Sequence, residues 1–403
     1  MTREGPRNVE VLIFGGGAAG LWLLDELIRD GRDALLLEAH ELGSGQTIAS
    51  QGIVHGGLKY TLSGLLTSSA RAISEMPLLW RRCLAGEREP NLVEARLRAP
   101  YCHLWQTTSL RSKVAMVGAR AGLRVRPRKL GDEQRPEILK SCPGVVARLE
   151  EQVIEPSTLL NTLSERHRGR ILKIDAQSGL ELRASEPGLV GLVRLINPDT
   201  GDSLDLKPHR VVFTAGAGNG GLRQLSGLSA RAMQRRPLHM VLARGDLPLL
   251  NGHCVDGMKT RVTITSTRDY ADRTVWQIGG QLAEDGVDLA PEALVTHAAS
   301  ELAAVLPRLD PTRTEWATYR VDRAEARTGG GLRPDTFSII AEGNTVTAWP
   351  TKMVLVPEMA RRISGLLPAR EKDAPMPQEP PDWPRPNIAI PPWEEQEQWF
   401  SDV

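Results

Sequence analysis

Cysteine is scarce in this chain: four in 403 residues, Cys83, Cys102, Cys142 and Cys254, with no two at C-x-x-C spacing. That scatter suggests neither a metal site nor a vicinal redox pair, and a reducing, cytoplasmic compartment is the expectation. Net charge is also slight, +1 from 50 Lys and Arg against 49 Asp and Glu. With no global positive field to draw phosphates in, nucleic acid is not an expected partner. One segment departs from that balance: residues 120–129, RAGLRVRPRK, are strongly basic. They read as a solvated surface loop, with a docking patch for an anionic partner as the other reading. No apolar run approaches the roughly 20 residues of a membrane-spanning helix. The amino-terminal MTREGPRNVE is polar, so no signal peptide is expected. Peripheral attachment to a membrane is left open.

What the chain does hold is 41% hydrophobic residues, enough for a sizeable core, over a length that exceeds the usual single domain. Two domains, interleaved or consecutive, are expected. Residues 11–20 read VLIFGGGAAG, and the apolar run Ala34-Leu35-Leu36-Leu37 closes on Glu38. The pattern predicts a strand, a glycine turn, an amphipathic helix over about 21–29 and a second strand ending on a carboxylate. Each part suits a dinucleotide. Gly15 permits the tight turn, Gly17 lets the backbone approach a pyrophosphate, and Gly20 lets the helix pack closely on the strand. The helix N-terminus offers N–H groups and a positive dipole end to phosphates, and Ala18 and Ala19 within the glycine turn are further candidates for cofactor contact. Glu38 is placed to accept hydrogen bonds from an adenosine ribose, and its charge would repel the extra phosphate of NADP. An ordinary glycine turn in an α/β domain is the alternative.

Further along, residues 42–60 (LGSGQTIASQGIVHGGLKY) form a glycine- and hydroxyl-rich stretch without periodicity, of the kind that surrounds a ligand. Residues 63–82 read as helical, and 153–163 as a helix in which Pro156 is tolerated in the first turn. Residues 96–141 alternate short strand-like pieces with basic turns. A second apolar strand ends in small residues at 210–221, RVVFTAGAGNGG, where the backbone can approach a ligand or simply turn. Residues 235–280 are rich in β-branched residues and suggest a separate sheet. A helix follows at 291–305, then Thr328-Gly329-Gly330-Gly331-Leu332-Arg333-Pro334 and a last helix over 357–366. Beyond it the composition shifts: nine of the 28 prolines fall between Pro368 and Pro392, beside Trp383, Trp393 and Trp399. Such a tail builds no core of its own. An extended arm is expected, laid on the protein or on a second subunit of a homodimer and anchored by its tryptophans.

Taken in order, GGGAAG, Glu38, His55-Gly56-Gly57-Leu58-Lys59-Tyr60, Glu155-Pro156, TAGAG and Gly331-Leu332-Arg333-Pro334 resemble the FAD-dependent oxidoreductases of the D-amino-acid oxidase superfamily. HGGLKY is most similar to the HGGLRY of FAD-dependent glycerol-3-phosphate dehydrogenases, and somewhat to the L-2-hydroxyglutarate dehydrogenase branch. The resemblance runs over about residues 9–366. It implies an α/β (α+β overall) chain: a Rossmann-like FAD-binding domain with an inserted mixed-sheet substrate domain. The FAD-binding domain would be discontinuous (1–95, 145–225 and 326–366), the substrate domain would span 96–144 and 226–325, and 367–403 would be the proline-rich arm. It further implies that Gly15, Gly17 and Gly20 hold the pyrophosphate and Glu38 the ribose. Gln46, Thr47, Ser50 and the adjoining Gln51 match the polar loop by the phosphates and flavin. Ala215 and Gly216 match a second FAD-contacting turn, Arg333 an arginine near flavin and substrate, and Lys352 a position ahead of the last helix. That helix would aim its positive end at the flavin. No cysteine follows Cys254, so FAD is expected to be noncovalent. Three departures from the family stand out. Asp335 follows Arg-Pro at once, Lys59 replaces an arginine, and Ala348-Trp349-Pro350-Thr351-Lys352-Met353 replaces a glycine-rich loop.

A flavin accepts a hydride from a carbon bearing OH or NH, and the heteroatom proton must go to a base or leave beforehand. His55 is the candidate base for an alcohol, since imidazole titrates near neutral pH; a backbone hydrogen bond is its other reading. Arg333 is a candidate clamp for a carboxylate or phosphate, or else a salt-bridge partner within its turn. Arg320, Arg323 and Arg327 add positive charge or form a solvated face. Lys352 would stabilise anionic reduced flavin, or cap a neighbouring element. The leading expectation is a dehydrogenase or oxidase acting on a small anionic 2-hydroxy acid or polyol phosphate, with oxygen, a quinone or another protein as electron acceptor. Oxidation of an amine or amino acid comes second. A flavoprotein acting on a macromolecule or in biosynthesis, or a non-catalytic relative, follows.

Overall fold

The computed structural model describes residues 5–56, 68–107, 127–256, 259–368 and 382–401, with the side chains of 68–74 excepted. Residues 57–60 of the HGGLKY motif and 120–126 of the basic segment lie outside these.

The chain opens with strand β1 (Arg7–Phe14), helix α1 (Ala18–Arg29) and strand β2 (Ala34–Glu38). β1 pairs parallel with β2, Ile13 opposite Leu36, and on its other edge with strand Ser203–Phe213, Ile13 opposite Val212. Helices and strands cover both faces of this sheet, so β1 is apolar on both sides. Val11 and Ile13 meet Leu21, Leu24 and Leu27 of α1 on one face. Leu12 and Phe14 meet Leu35, Leu37 and Phe213 on the other. That two-sided burial explains an unbroken apolar run where a half-exposed strand would alternate. α1 carries Arg29 in its last turn and is followed by Gly31 at φ +75°, which suit a helix C-terminus.

The first sheet runs Ser338–Glu342, Thr345–Trp349, Ser203–Phe213, β1, β2 and Ile171–Lys173. An antiparallel pair, Leu180–Glu186 and Leu189–Ile196, joins it through Ser203–Phe213. A second sheet also has eight strands, led by the 13-residue strands Met233–Gly245 and Thr314–Ala326, paired from Met233 opposite Ala326 to Gly245 opposite Thr314. Helix Pro291–Val305 buries Leu294, Val295, Ala298 and Leu302 against this sheet, beside Trp105, Trp276 and Trp316.

One boundary differs from the sequence reading. Strand Val146–Leu149, placed at 145–225 with the dinucleotide-binding segment, pairs antiparallel with Cys102–Gln106 and belongs to the second sheet. The chain leaves that sheet only afterwards, where Val153–Ile154 pairs with Leu97–Ala99.

The described part of the arm lies on its own chain and crosses both sheets. Trp383 joins the core on one face of the first sheet and donates Nε1–H to the Lys173 carbonyl at 2.7 Å. Leu42 donates its N–H to the Asn387 carbonyl and accepts that of Ala389, and Trp393 packs on Leu242, Val275 and Ala317 of the second sheet. Phe400 and Trp316 then exchange a pair of backbone hydrogen bonds at 2.6 and 2.8 Å. Among the described residues no helix is long and apolar enough to cross a membrane.

Candidate active site

Both sheets contribute to the wall of a cavity of about 1370 Å³. This exceeds the roughly 300–1,000 Å³ typical of pockets for drug-sized ligands, so there is room for an extended ligand. Every residue singled out from the sequence for cofactor binding or catalysis lines this cavity, apart from Gly20.

Its floor is the turn after β1. Gly15 has φ +106°, and a Cβ there would stand 2.5 Å from the Ala215 Cα, so the first and second glycine-rich turns touch through bare backbone. A Cβ on Gly20 would fall on the Gly15 carbonyl oxygen. Gly20 thus packs α1 closely on the turn. The N-cap of α1 is Gly17, with no side chain to take up first-turn N–H groups; the Thr47 Oγ1 accepts that of Ala18 at 3.3 Å. A helix N-terminus whose N-cap residue has no side chain, with Gly17, Ala18 and Ala19 in the cavity wall, is the chemistry an anionic pyrophosphate requires. Glu38 accepts Gly16 N–H at 2.6 Å through Oε2 and His40 N–H at 2.8 Å through Oε1. A carboxylate has about four lone-pair sites, so acceptor capacity remains for hydroxyls.

The second turn is held by a residue that sequence reasoning passed over. Fully buried Asn219 accepts the Ala215 N–H at 2.8 Å and donates to the Ala348 carbonyl at 3.1 Å, joining this turn to the strand before the last helix. The hydroxyl-rich loop is tied to the second sheet. Gln46 Oε1 accepts Ala324 N–H at 3.1 Å, and Gln51 Nε2 donates to the carbonyls of Thr263 and Gln277 at 3.1 and 2.9 Å. These two side-chain amides hold the wall together. Ser50 Oγ is buried without a hydrogen-bond partner among the described residues, as is the Arg333 Nε. Orphaned polar atoms in a cavity wall fit a polar ligand.

The chemically active corner is built from three elements. His55 sits in the loop, Glu151 follows strand Val146–Leu149, and His253 lies on strand Gly252–Asp256. Glu151 Oε1 accepts Gly56 N–H at 2.6 Å. Its Oε2 lies 3.3 Å from His253 Nε2 and 3.6 Å from His55 Nδ1. Burial pushes the Glu151 carboxyl up, but the His253 and His55 contacts outweigh it and hold the acid well below the usual carboxylate range. Burial pushes His55 down to about 4, with Lys352 and His253 adding to it, against the pull of Glu151. Although 38% of its side chain is accessible, that surface opens into the cavity, and crowding by protein dominates. His55 therefore has Glu151 facing Nδ1 and the cavity beside its ring. Glu151 and His253 left no trace in the sequence. They lie 96 and 198 positions from His55 and meet it only through pairing of distant strands.

Arginines occupy another part of the wall. Arg323 pairs with Glu284 at 2.9 Å, Arg235 with Asp322 at 3.4 Å, and Arg320 donates to the carbonyls of Val287 and Leu289. Arg333, in contrast, makes no ion pair among the described residues. Burial, together with nearby Arg236 and Arg333, lowers the Arg323 pKa against the pull of Glu284. Arg327 does not reach the cavity. Trp349, Pro350, Thr351, Lys352 and Met353 line it just before helix Val356–Ser364, and Thr351 holds φ +60°.

The family model for FAD-dependent oxidoreductases matches residues 10–351. The chain belongs to this family. A probable FAD-dependent oxidoreductase of Pseudomonas aeruginosa is 38% identical over 395 residues, 96% of this chain and 98% of that protein. The crystal structure of an FAD-dependent oxidoreductase from the same organism superposes with a TM-score of 0.78 at 34% identity, covering 97% of this chain and 99% of that one. Two more distant structures share the fold. Glycine oxidase from Geobacillus kaustophilus has a TM-score of 0.65 at 17% identity, covering 92% and 98% of the two chains. L-α-glycerophosphate oxidase from Mycoplasma pneumoniae, solved with FAD bound, has a TM-score of 0.61 at 14% identity, covering 95% and 100%. This FAD-dependent oxidoreductase thus has the D-amino-acid oxidase type of fold, and FAD is its cofactor.

Proposed function

We propose that this FAD-dependent oxidoreductase removes a hydride from the C–OH carbon of a small anionic substrate, a 2-hydroxy acid or a polyol phosphate. The observation that carries the reading is the His55–Glu151 pair, 3.6 Å apart, in the wall of the cavity that also holds Arg333. When bound, FAD supplies the hydride acceptor. The remaining work falls to side chains. Arg333 takes the substrate's carboxylate or phosphate with its guanidinium fork and so fixes which carbon is presented. The proton of His55 is assigned to Nδ1, facing Glu151, which leaves Nε2 to accept the hydroxyl proton. Glu151 then compensates the imidazolium charge, and His253 keeps the carboxylate in place.

The cofactor's own contacts follow the same geometry. Gly15, Gly17, Ala18 and Ala19 with Thr47 would hold the pyrophosphate and Glu38 the ribose. Ser50, Ala215, Gly216 and Lys352 would face the rest. FAD would be noncovalent: the four cysteines are buried, and none lines the cavity.

Anaerobic mixing of the yellow protein with 2-hydroxy acids, polyol phosphates and amino acids tests the reading. Bleaching by one of the first two classes is expected, with a rate that falls at least 100-fold in His55→Asn while FAD is retained. Bleaching by amino acids alone, undiminished in that variant, would overturn it in favour of amine oxidation.

A further inference from the structure

His55, Glu151 and His253 have a second chemistry available to them. Each offers one ligand atom, and the three atoms all lie within 4.8 Å of one another. The two contacts to Glu151 Oε2 measure 3.3 and 3.6 Å. Tetrahedral zinc ligands at about 2.0–2.1 Å from the ion stand about 3.3 Å apart, so these spacings suit neighbours on one ion.

The outer atoms of two ligands are already held. Glu151 Oε1 accepts the Gly56 N–H at 2.6 Å, and His253 Nδ1 lies 3.0 Å from the Thr263 hydroxyl. Oε2 and Nε2 are therefore the atoms turned toward the shared centre. Supporting contacts of this kind are what orient metal ligands. All three residues line the cavity, which gives an entry path and an open fourth position.

We propose that His55, Glu151 and His253 form a site for one divalent transition-metal ion, and that occupancy withdraws His55 from proton transfer. The second half rests on the role given to His55 above. Two imidazoles and one carboxylate select Zn²⁺, Ni²⁺ or Cu²⁺ over Mg²⁺ and Ca²⁺, which prefer all-oxygen shells. No net proton change is needed. The ion takes the lone pair of His55 Nδ1, the proton of that ring passes to Nε2, and the ring keeps no acceptor for a substrate hydroxyl. On His253 the ion likewise takes the lone pair of Nε2, and the proton that Nε2 had shared with Glu151 passes to Nδ1, where the Thr263 hydroxyl accepts it.

The test is titration of the FAD-loaded protein with ZnCl₂ in a calorimeter, with MgCl₂ as control and metal analysis after desalting. One equivalent of zinc and no magnesium binding are expected. Glu151→Gln and His253→Ala, each checked for retained flavin absorbance, should each weaken zinc binding at least about tenfold. Absence of saturable zinc binding, or one equivalent bound equally by both variants, would overturn the site. A second readout is the rate of anaerobic bleaching by the substrate. Zinc should slow it and a chelator restore it. Zinc bound at the cluster with bleaching unchanged would uphold the site and overturn the role of His55 in proton transfer.

Discussion

Glu38 Oε2 accepts the backbone N–H of Gly16 at 2.6 Å, so the carboxylate at the end of β2 clasps the glycine turn at the end of β1. One side chain both shapes the turn and lines the cavity. Hydrogen bonds to a charged acceptor contribute about 1.5–3 kcal/mol each. Glu38→Ala should accordingly weaken FAD binding by at least about tenfold, with a smaller loss of thermal stability in the flavin-free protein. Flavin fluorescence on dilution of the holoprotein would measure the first, and a thermal melt of the apoprotein the second. Unaltered FAD affinity would remove Glu38 from the site.

The β1–α1–β2 unit was legible because its signals are local: an apolar run, glycines at fixed spacing, and a carboxylate one strand later. The start of α1 was read three residues late, since Ala18-Ala19-Gly20 shows no apolar periodicity. The corner at His55 was half legible. A histidine among glycines in a hydroxyl-rich loop stands out, whereas Glu151 is one acid in the run Glu150-Glu151-Gln152. Its role depends on Cys102–Gln106 lying between Val146–Leu149 and Gly252–Asp256 in the second sheet, a pairing that no local pattern encodes. The same non-local pairing explains the misplaced boundary at 145. Gln46 belongs to the polar-loop motif and Gln51 adjoins it, but the part both play in joining the loop to the second sheet depends on the fold.

Acid should expose a buried ion pair. Arg98 and Glu155, with side chains 1% and 7% exposed, are joined by a two-pronged guanidinium–carboxylate contact, and Thr267 adds a hydrogen bond at 3.0 Å. Burial raises the Glu155 pKa, but the Arg98 hydrogen bonds and charge outweigh it, and the net shift is downward. A folded-state pKa below the unfolded value of about 4.3 means that the pair's stabilisation is fully present above that pH. It is lost as pH falls through the folded-state value. Glu155→Gln, which strands Arg98, should lower stability at pH 7 by about 3–5 kcal/mol. Urea midpoints measured from pH 7 down to pH 3 should then fall less steeply for the variant than for the parent.

The arm should contribute stability without taking part in chemistry. Trp393 is 4% exposed, packs on Leu242, Val275 and Ala317, and has the Arg98 guanidinium 5.1 Å from its ring centroid. It does not line the cavity. Truncation of a buried tryptophan to alanine costs about 3–5 kcal/mol. Trp393→Ala should lower the denaturation midpoint accordingly, while the rate of flavin bleaching by substrate stays within about twofold of the parent at 20 °C. A large change in bleaching with little change in the midpoint would contradict the structural role of the arm.

Arg333 tests the anionic nature of the substrate. Its Nε is buried without a partner among the described residues, and it lies in the wall beside Arg323, whose own guanidinium is engaged by Glu284. A lysine there keeps the charge but loses the planar fork that grips a carboxylate or phosphate with two bonds. Arg333→Lys should raise KM for the bleaching substrate about tenfold, and Arg333→Ala by about 10–100-fold, the equivalent of one charge-assisted contact. Because the clamp acts on a group remote from the reacting carbon, kcat should fall less than KM rises. An uncharged ester or amide of the same substrate should bind the parent and Arg333→Ala equally. If the ester discriminated between them as strongly as the acid does, Arg333 would be holding the cavity wall rather than an anion.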